Sequence, residues 1–303
     1  MRVALNLVFL VPGETGGMEV YARELIPRLA ARPGLELTAL VSRAAAGEDF
    51  GVPTVVLPVD ARRRADWVRG EQWHVPRRAD GELIHSFAST APVFSRARRI
   101  TTIHDLHYKL IPDAHFGLRA LGMRVLVPAA AGRSHRIIAV SEATRRDLVE
   151  HLGTPPGKID VVPHGVSPGR PVAPAEEAGL RARLGLGDGP VVLTVSAKRP
   201  HKNLVRLLEA VALLEERPVL VLPGYPTPHE AELRERAAAL GVRAVFPAWV
   251  SPEDLEGLYA LAAAFVFPSL AEGFGMPVLE AMARGTPVAC SGRSSLPEVA
   301  GDA

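Results

Sequence analysis

Two carboxylates eight residues apart, Glu272 and Glu280, stand in the stretch EGFGMPVLEAMARGTPVA, residues 272–289. Glu272 precedes a turn containing Gly273 and Gly275. Glu280 is expected in the first turn of the helix that follows, with Pro277 at the first helical position and Gly285 and Pro287 marking the end. An ionised carboxylate accepts hydrogen bonds and donates none, which suits it to vicinal hydroxyls. The glycines remove side chains where backbone N–H groups could approach a ligand closely, and helix N-termini attract anions. Both carboxylates can point into one pocket. The other reading is a well-capped αβ connection in which Glu280 is set favourably against the helix dipole.

Three further turns carry polar groups at the ends of apolar runs. SAKRPHKNL, residues 196–204, holds Lys198, Arg199 and Lys202. HDLH, residues 104–107, places His104 at the end of the run 100–103, although a lone histidine is more often structural or exposed. PGETGGMEVYARELI, beginning at Pro12, brings Gly16 and Gly17 to the start of a helix, where they could let the loop approach a ligand closely. Its spacing differs from the dinucleotide fingerprint G-x-G-x-x-G. No D-x-D occurs in the chain, so no metal site is expected.

These turns need a scaffold, and the chain supplies an α/β one. Strands are expected at 3–11, 35–41, 54–57, 83–86, 100–103, 137–140 and 159–162, and a helix at 142–152 between Ser141 and Gly153. A second series of strands follows at 191–196, 219–222, 244–246, 264–267 and 288–290. Nearly continuous apolar strands alternating with helices predict parallel sheets covered on both faces. In such sheets ligands bind beyond the carboxyl ends of the strands, where all these turns lie. The Pro- and Gly-rich stretch GVSPGRPVAPAEEAG, residues 165–179, reads as a hinge between two similar units with a cleft between them. The domains expected are 1–165, a linker 166–190, and 191–303.

The chain has 303 residues, 48% hydrophobic and 22% charged, which excludes a disordered or polyelectrolyte chain. A net charge of +2 gives no strong pull toward nucleic acid. The single cysteine, Cys290, rules out an internal disulfide and any cysteine-cluster metal site, and fits a reducing cytoplasm. No apolar run is long enough to span a membrane. Arg62, Arg63, Arg64, Arg69, Arg77 and Arg78 cluster, with Arg96, Arg98 and Arg99 close behind, and could form a basic face.

The 272–289 stretch resembles the E-x7-E signature of the retaining family 4 glycosyltransferases, which have the two-domain GT-B fold. SLPEVAGDA (295–303), VSEATRRDLVEHLGTPPGKIDVVPHGV (140–166), TIHDL (102–106) and the glycine pair at 16–17 are similar to that family's text as well. The resemblance implies two Rossmann-like parallel-sheet domains facing across a cleft. It implies that Glu280 accepts hydrogen bonds from the ribose hydroxyls of a nucleotide, and that Glu272 grips the donor sugar. Backbone N–H groups around Gly273, Phe274 and Gly275 would contact the sugar and the diphosphate. Lys202 matches the lysine that neutralises the diphosphate, and His104 a histidine lining the cleft near the transferred sugar. The family often carries an arginine near the position of Ala197; Arg199 is the candidate substitute, with Lys198 the other. The family often has Asn where His164 stands, and no chemistry is assigned to that histidine.

The function implied is retaining transfer of a hexose, with mannose from a guanosine donor the first choice, to a glycan or lipid-linked acceptor in cell-surface polysaccharide synthesis. No cofactor is expected beyond the nucleotide-diphosphate sugar as donor substrate. The arginines at 62–78 suggest a peripheral contact with a lipid diphosphate or an anionic membrane, and a cytoplasmic location at the inner membrane surface. A sugar-nucleotide epimerase or hydrolase of the same fold, and an inactive binding protein, are the alternatives. Family members normally continue past EVAGDA with another strand and helices, so the second domain is expected to be incomplete.

Overall fold

A computed structural model of the chain describes residues 1–79, 81–111 and 117–302. The chain divides into two compact units, the first ending at His164 and the second beginning at Gly165. Each is a parallel sheet flanked by helices.

In the first unit the strands are β1 (Arg2–Leu7), β2 (Glu36–Val41), β3 (Thr54–Val56), β4 (Leu83–Ser86), β5 (Arg98–Ile103), β6 (Arg136–Ala139) and β7 (Ile159–Val161). Its helices are α1 (Gly17–Ala30), α2 (Arg64–Arg69), α3 (Val75–Arg78), α4 (His107–Leu110), α5 (Gly117–Arg133) and α6 (Glu142–Leu152). In the second unit the strands are β8 (Val191–Leu193), β9 (Val219–Val221), β10 (Ala244–Val245), β11 (Ala264–Phe267) and β12 (Val288–Cys290). The helices there are α7 (Pro174–Leu184), α8 (Leu204–Ala212), α9 (His229–Leu240), α10 (Pro252–Leu261), α11 (Met276–Ala283) and α12 (Leu296–Ala300).

The first sheet runs β3-β2-β1-β4-β5-β6-β7 and the second β10-β9-β8-β11-β12. Both therefore start at an inner strand, wind outward to one edge, then return and wind the other way. The reversal lies between β1 and β4 in one sheet and between β8 and β11 in the other. Loops leaving the two central strands of such a sheet part to opposite faces and open a crevice at their carboxyl ends.

Alternate residues of each central strand feed different cores. Val3, Leu5 and Leu7 pack with Ala22 and Ile26 of α1, while Ala4 and Val8 pack with Ile84 and Val75 on the other face. In the second unit Val191 and Leu193 join Phe265 and Leu258, while Val192 joins Leu208 and Leu220. This two-sided burial is why the strands read as apolar runs rather than as alternating ones.

Two expectations are corrected here. The stretch 166–190, read as a linker, contains α7, whose Leu180 is buried with Leu258. Pro174 is the first residue of α7 and Glu176 reaches back to accept the Ala173 N–H at 2.9 Å, so this proline starts a helix rather than marking a loop. Glu280 is the fifth residue of α11, not a first-turn residue, because the helix begins at Met276 and Pro277 is its second residue.

Candidate functional site

In the second unit the sheet's reversal brings two loops together. The loop leaving β8 carries Arg199, His201, Lys202 and Asn203; the loop leaving β11 carries Ser269 to Gly275. His201, buried, accepts the Leu270 N–H through its carbonyl at 2.8 Å, and Asn203 Nδ2 donates to Pro268 O at 3.3 Å. Across this backbone seam Lys202 Nζ donates to Glu272 Oε1 at 2.6 Å, joining residues 70 apart in sequence. Both side chains are largely buried, 14% and 11% exposed, so water competes weakly for this pair. The Lys202 amine also lies 5.5 Å from the Phe267 ring centroid.

The Glu272 turn is held from behind. Ser294 Oγ and Ser295 Oγ donate to Glu272 O at 2.7 and 3.0 Å, and Ser295 Oγ reaches Phe274 O at 2.7 Å. Gly275 adopts φ 110°, a conformation L side chains rarely adopt, and a Cβ on it would stand 2.6 Å from Leu296 Cδ2, so a larger residue is strained here and must push the buried Leu296 side chain aside. Gly273 and Phe274 lie within this clamped turn. Ser295 carries no signal beyond its place in SLPEVAGDA, and Ser294 stands just before that stretch with none.

Glu280 has a partner of its own. Tyr259 of α10, 1% exposed, donates its hydroxyl to Glu280 Oε2 at 2.8 Å. Burial, and then the Glu280 carboxylate, push the Tyr259 hydroxyl well above its ordinary range, so it remains a donor. Glu280 Oε1 keeps acceptor capacity, with no hydrogen-bond partner among the described residues. Glu272 and Glu280 are thus oriented by different elements: one by the β8 loop, the other by α10.

Of the two candidates near Ala197, Lys198 is fully buried. Its amine is spent on Gly224 O and, at 3.3 Å, Pro247 O, with Glu230 3.6 Å away. It ties the exits of β8, β9 and β10 together. Arg199 lies half-buried immediately before the 3-10 turn Pro200–Lys202.

In the first unit His104 follows β5. Its Nε2 lies 2.8 Å from Phe87 O and its backbone N–H donates to Ser89 Oγ at 3.2 Å. A carbonyl only accepts, so Nε2 carries the proton and Nδ1 is left as an acceptor in the neutral ring. Burial lowers the His104 pKa, which favours that neutral form. His164, given no role above, stacks on His104 with ring centroids 5.7 Å apart, and Tyr21 packs against both at 5.2 and 5.0 Å. Burial and the neighbouring His104 lower the His164 pKa to about 4. Gly16 precedes α1 with φ 63°, and Gly17 is its first residue; Glu19 of that turn accepts the Gly13 N–H at 2.9 Å.

Three non-glycine residues among those described have left-handed backbone: Ser89, Asn203 and Ser294. Each adjoins a candidate group, His104, Lys202 and Glu272 in turn. Strained conformations of this kind persist where surrounding structure over-determines them, and they cluster at sites that position chemistry.

Behind the His104 loop lies Glu71, 2% exposed, in the π-helical turn Gly70–His74. Asn6 Nδ2 and Thr90 Oγ1 donate to its Oε1 at 3.0 and 2.8 Å, and Gln72 Nε2 donates to its Oε2 at 3.1 Å. Burial raises the Glu71 pKa to about 7 against these three donors, which favour the ion. An acid raised in the folded state is protonated there while the unfolded chain has ionised, so folding stability falls as pH rises from about 4.5 to about 7. The span corresponds to about 3 kcal/mol. The stability difference between wild type and Glu71→Gln, followed by urea unfolding, is expected to move by this amount across that window and to be flat above it. A pH-independent difference would contradict the raised pKa.

The described residues contain no helix long and apolar enough to cross a membrane and no group of three His, Cys, Asp or Glu placed to hold a metal ion. The sequence and the fold have counterparts among known proteins. The family model described as "Glycosyl transferases group 1" matches residues 178–303, and that described as "Glycosyltransferase Family 4" matches residues 15–170. The chain is 34% identical to the O-antigen chain mannosyltransferase B of Escherichia coli, over 68% of this chain and 56% of that protein. It is 32% identical to the D-inositol 3-phosphate glycosyltransferase of Streptomyces avermitilis, over 99% of this chain and 75% of that protein. Among solved structures, Anabaena Alr3699/HepE in complex with UDP-glucose superposes with a TM-score of 0.75 at 21% identity, covering 98% of this chain and 82% of that one. The chain belongs to the group-1, family 4 glycosyltransferases and has their GT-B fold.

Proposed function

We propose that this protein transfers a hexose from a nucleotide-diphosphate sugar to a hydroxyl of a glycan or glycolipid, with retention at the anomeric carbon, in cell-surface polysaccharide synthesis. The observation that carries this reading is the Lys202–Glu272 pair, a cation and a carboxylate held side by side at the sheet's reversal. A diphosphate needs the first and a sugar's hydroxyls the second. Glu280, with one oxygen on Tyr259 and the other available, is suited to a ribose diol. Gly273, Phe274 and Gly275 supply the backbone of the turn between the two carboxylates.

In this reading the bond from the anomeric carbon to the leaving phosphate oxygen breaks on the same face at which the acceptor oxygen attacks. The leaving phosphate takes the acceptor's proton. Lys202 stabilises the charge that grows on the diphosphate, in the place a metal ion takes in metal-dependent transferases. The first unit is the acceptor side, where His104 Nδ1 accepts a hydrogen bond from a sugar hydroxyl. Mannose from a guanosine donor is the preferred substrate; the sugar is in keeping with the E. coli relative's name. Catalysis at the cytoplasmic face of the inner membrane follows from such donors and lipid-linked acceptors.

The test is a panel of nucleotide sugars with and without glycan and glycolipid acceptors, reading nucleotide release and the anomeric configuration of the product. Acceptor-dependent release with retention is expected, greatest for the guanosine–mannose donor. Epimerised or hydrolysed donor without acceptor, or an inverted product, would overturn the reading.

A further inference from the structure

One buried acid of the first unit has no part in the reaction as described above. Glu71 sits where the first sheet reverses. Asn6 Nδ2, on β1, donates both to Glu71 Oε1 and to Ser86 Oγ, on β4, at 3.0 and 3.1 Å. The π-helical turn that carries Glu71 is pressed close to β1. A Cβ on Gly70, its first residue, would stand 2.8 Å from side-chain carbons of Val8 and Val59, so only the bare glycine lets the turn come this near. Such π-helical turns are rare and frequently occur at functional sites.

From there Glu71 and its neighbour hold the loop that leaves β4. Thr90 donates its hydroxyl to Glu71 Oε1 at 2.8 Å. Gln72, bonded to Glu71 Oε2, also donates to Ala91 O at 3.0 Å and accepts the Val93 N–H at 2.8 Å. The same loop holds His104 on its other side. Phe87 O faces His104 Nε2, and Ser89 Oγ accepts the His104 N–H. Ser89 is left-handed and donates its own N–H to Thr102 O at 3.0 Å. Residues 87 to 93 are thus one strap between Glu71 and His104.

Every group bonded to the Glu71 carboxylate donates to it: two amides and a hydroxyl. That set fits the ion. A protonated acid brings a hydrogen of its own, and Thr90 can take it only by turning its hydroxyl hydrogen away. On the elements packed about Glu71 the titratable groups are Asp60 before α2, Arg69 and His74 on its own helical run, and His85 on β4. Beyond the strap stand Arg99 on β5 and His104. None of these bonds to Glu71 among the described residues, whose partners are all neutral, and burial is what opposes its charge.

We propose that Glu71 is a positioning residue for His104: as a carboxylate it anchors the strap through Thr90 and Gln72, and on taking a proton it loosens the strap and the fixed orientation in which His104 Nδ1 meets a sugar hydroxyl. The inference rests on the reading of the first unit as the acceptor side. It makes use of the acceptor pH-dependent through a group that never touches the sugar.

The experiment follows acceptor-dependent transfer by the full chain across neutral pH. Wild-type kcat/KM for the acceptor should fall about tenfold as pH drops through about 7, with the donor KM unmoved. The histidine limbs lie lower, since burial lowers the His104 pKa and takes that of His164 to about 4. Glu71→Gln should keep the low-pH value at every pH. Thr90→Val, which keeps the volume and removes the hydroxyl, should raise the acceptor KM about tenfold and leave the donor KM within about twofold. The double variant should be little worse than either single one. A residue that only supports the fold would lower activity without erasing the acid limb. A second readout needs no turnover: the nitrogen NMR signals of the His104 ring, assigned by their loss in His104→Gln, should move with a midpoint of about 7 in wild type and not in Glu71→Gln. An acid limb kept by Glu71→Gln, or a His104 signal that does not follow Glu71, would overturn the proposal. A signal that follows Glu71 in a protein that transfers no sugar would uphold the coupling and overturn the acceptor reading instead.

Discussion

Lys202→Ala is expected to lower kcat for sugar transfer by about 10²–10³-fold while the protein stays folded. Lys202 sits in a short 3-10 turn whose backbone is held by Leu270 and Asn203, so removing its side chain leaves the loop's framework in place. The lost interaction is one that strengthens as the diphosphate leaves, and such losses appear in kcat rather than in KM alone. Removing one partner of a largely buried pair leaves Glu272 without its cation, so the variant should also lose about 3 kcal/mol of stability, read from its melting curve. Glu272→Gln is expected to be similarly impaired, since the amide keeps the shape and loses the charge that orients Lys202. The double variant should be little worse than the poorer single one, because two groups that work as a unit do not add. Steady-state kinetics with saturating donor decide the matter: a Lys202→Ala enzyme within about twofold of wild-type kcat would remove the lysine from the reaction.

The second large effect is on folding. Gly224 follows β9 with φ 139°, and a Cβ there would lie 2.1 Å from Ser196 O and 2.6 Å from Ser196 C. Those are backbone atoms at the exit of β8, so no rotamer change relieves the clash. Gly224 O also receives the Lys198 amine, and Ser196 N–H bonds Pro223 O at 3.1 Å, so the two strand exits are fastened at their closest approach. Gly224→Ala is expected to destabilise the protein by about 4 kcal/mol or more, combining a conformation L-residues avoid with displacement of the loop that carries Lys202. The melting midpoint should fall by about 10 °C. Gly189→Ala, at a position with nothing within 4 Å and no positive φ, is the control and should shift stability by no more than about 0.5 kcal/mol. Equal melting curves for the two variants would show that the β8 and β9 exits can part freely.

Much of the framework is legible in the sequence. The strands at 83–86, 264–267 and 288–290 and the helix at 142–152 coincide with the observed elements. In each, an apolar run or a capped helical pattern ends at a residue with one strong local preference. Ser141 Oγ accepts the Thr144 N–H and Gly153 is left-handed, as their types require. The first strand is shorter than the expected 3–11, although the apolar run continues to Val11. The chain turns after Leu7 instead, where Leu10 N–H bonds Leu7 O and Asn6 Oδ1 takes the Val8 N–H. The stretch 62–78 gave no helix signal because Glu71, a carboxylate, occupies a core position beside Gly70 and Val75.

What the sequence alone determined are features fixed within a few residues: the strand–turn–helix units, the glycine turn between two carboxylates, and the placement of Lys202 and His104 at strand ends. What only the tertiary structure decided are the meetings. Lys202 faces Glu272 because β8 and β11 are neighbours, and strand order follows from how whole helices and strands pack, not from local spacing. Tyr259 orients Glu280, Ser295 clamps the Glu272 turn, and His164 stacks on His104 for the same reason. A side chain's type sets which bonds it can make; the burial of the two sheets' faces sets which partners lie within the few ångströms those bonds require.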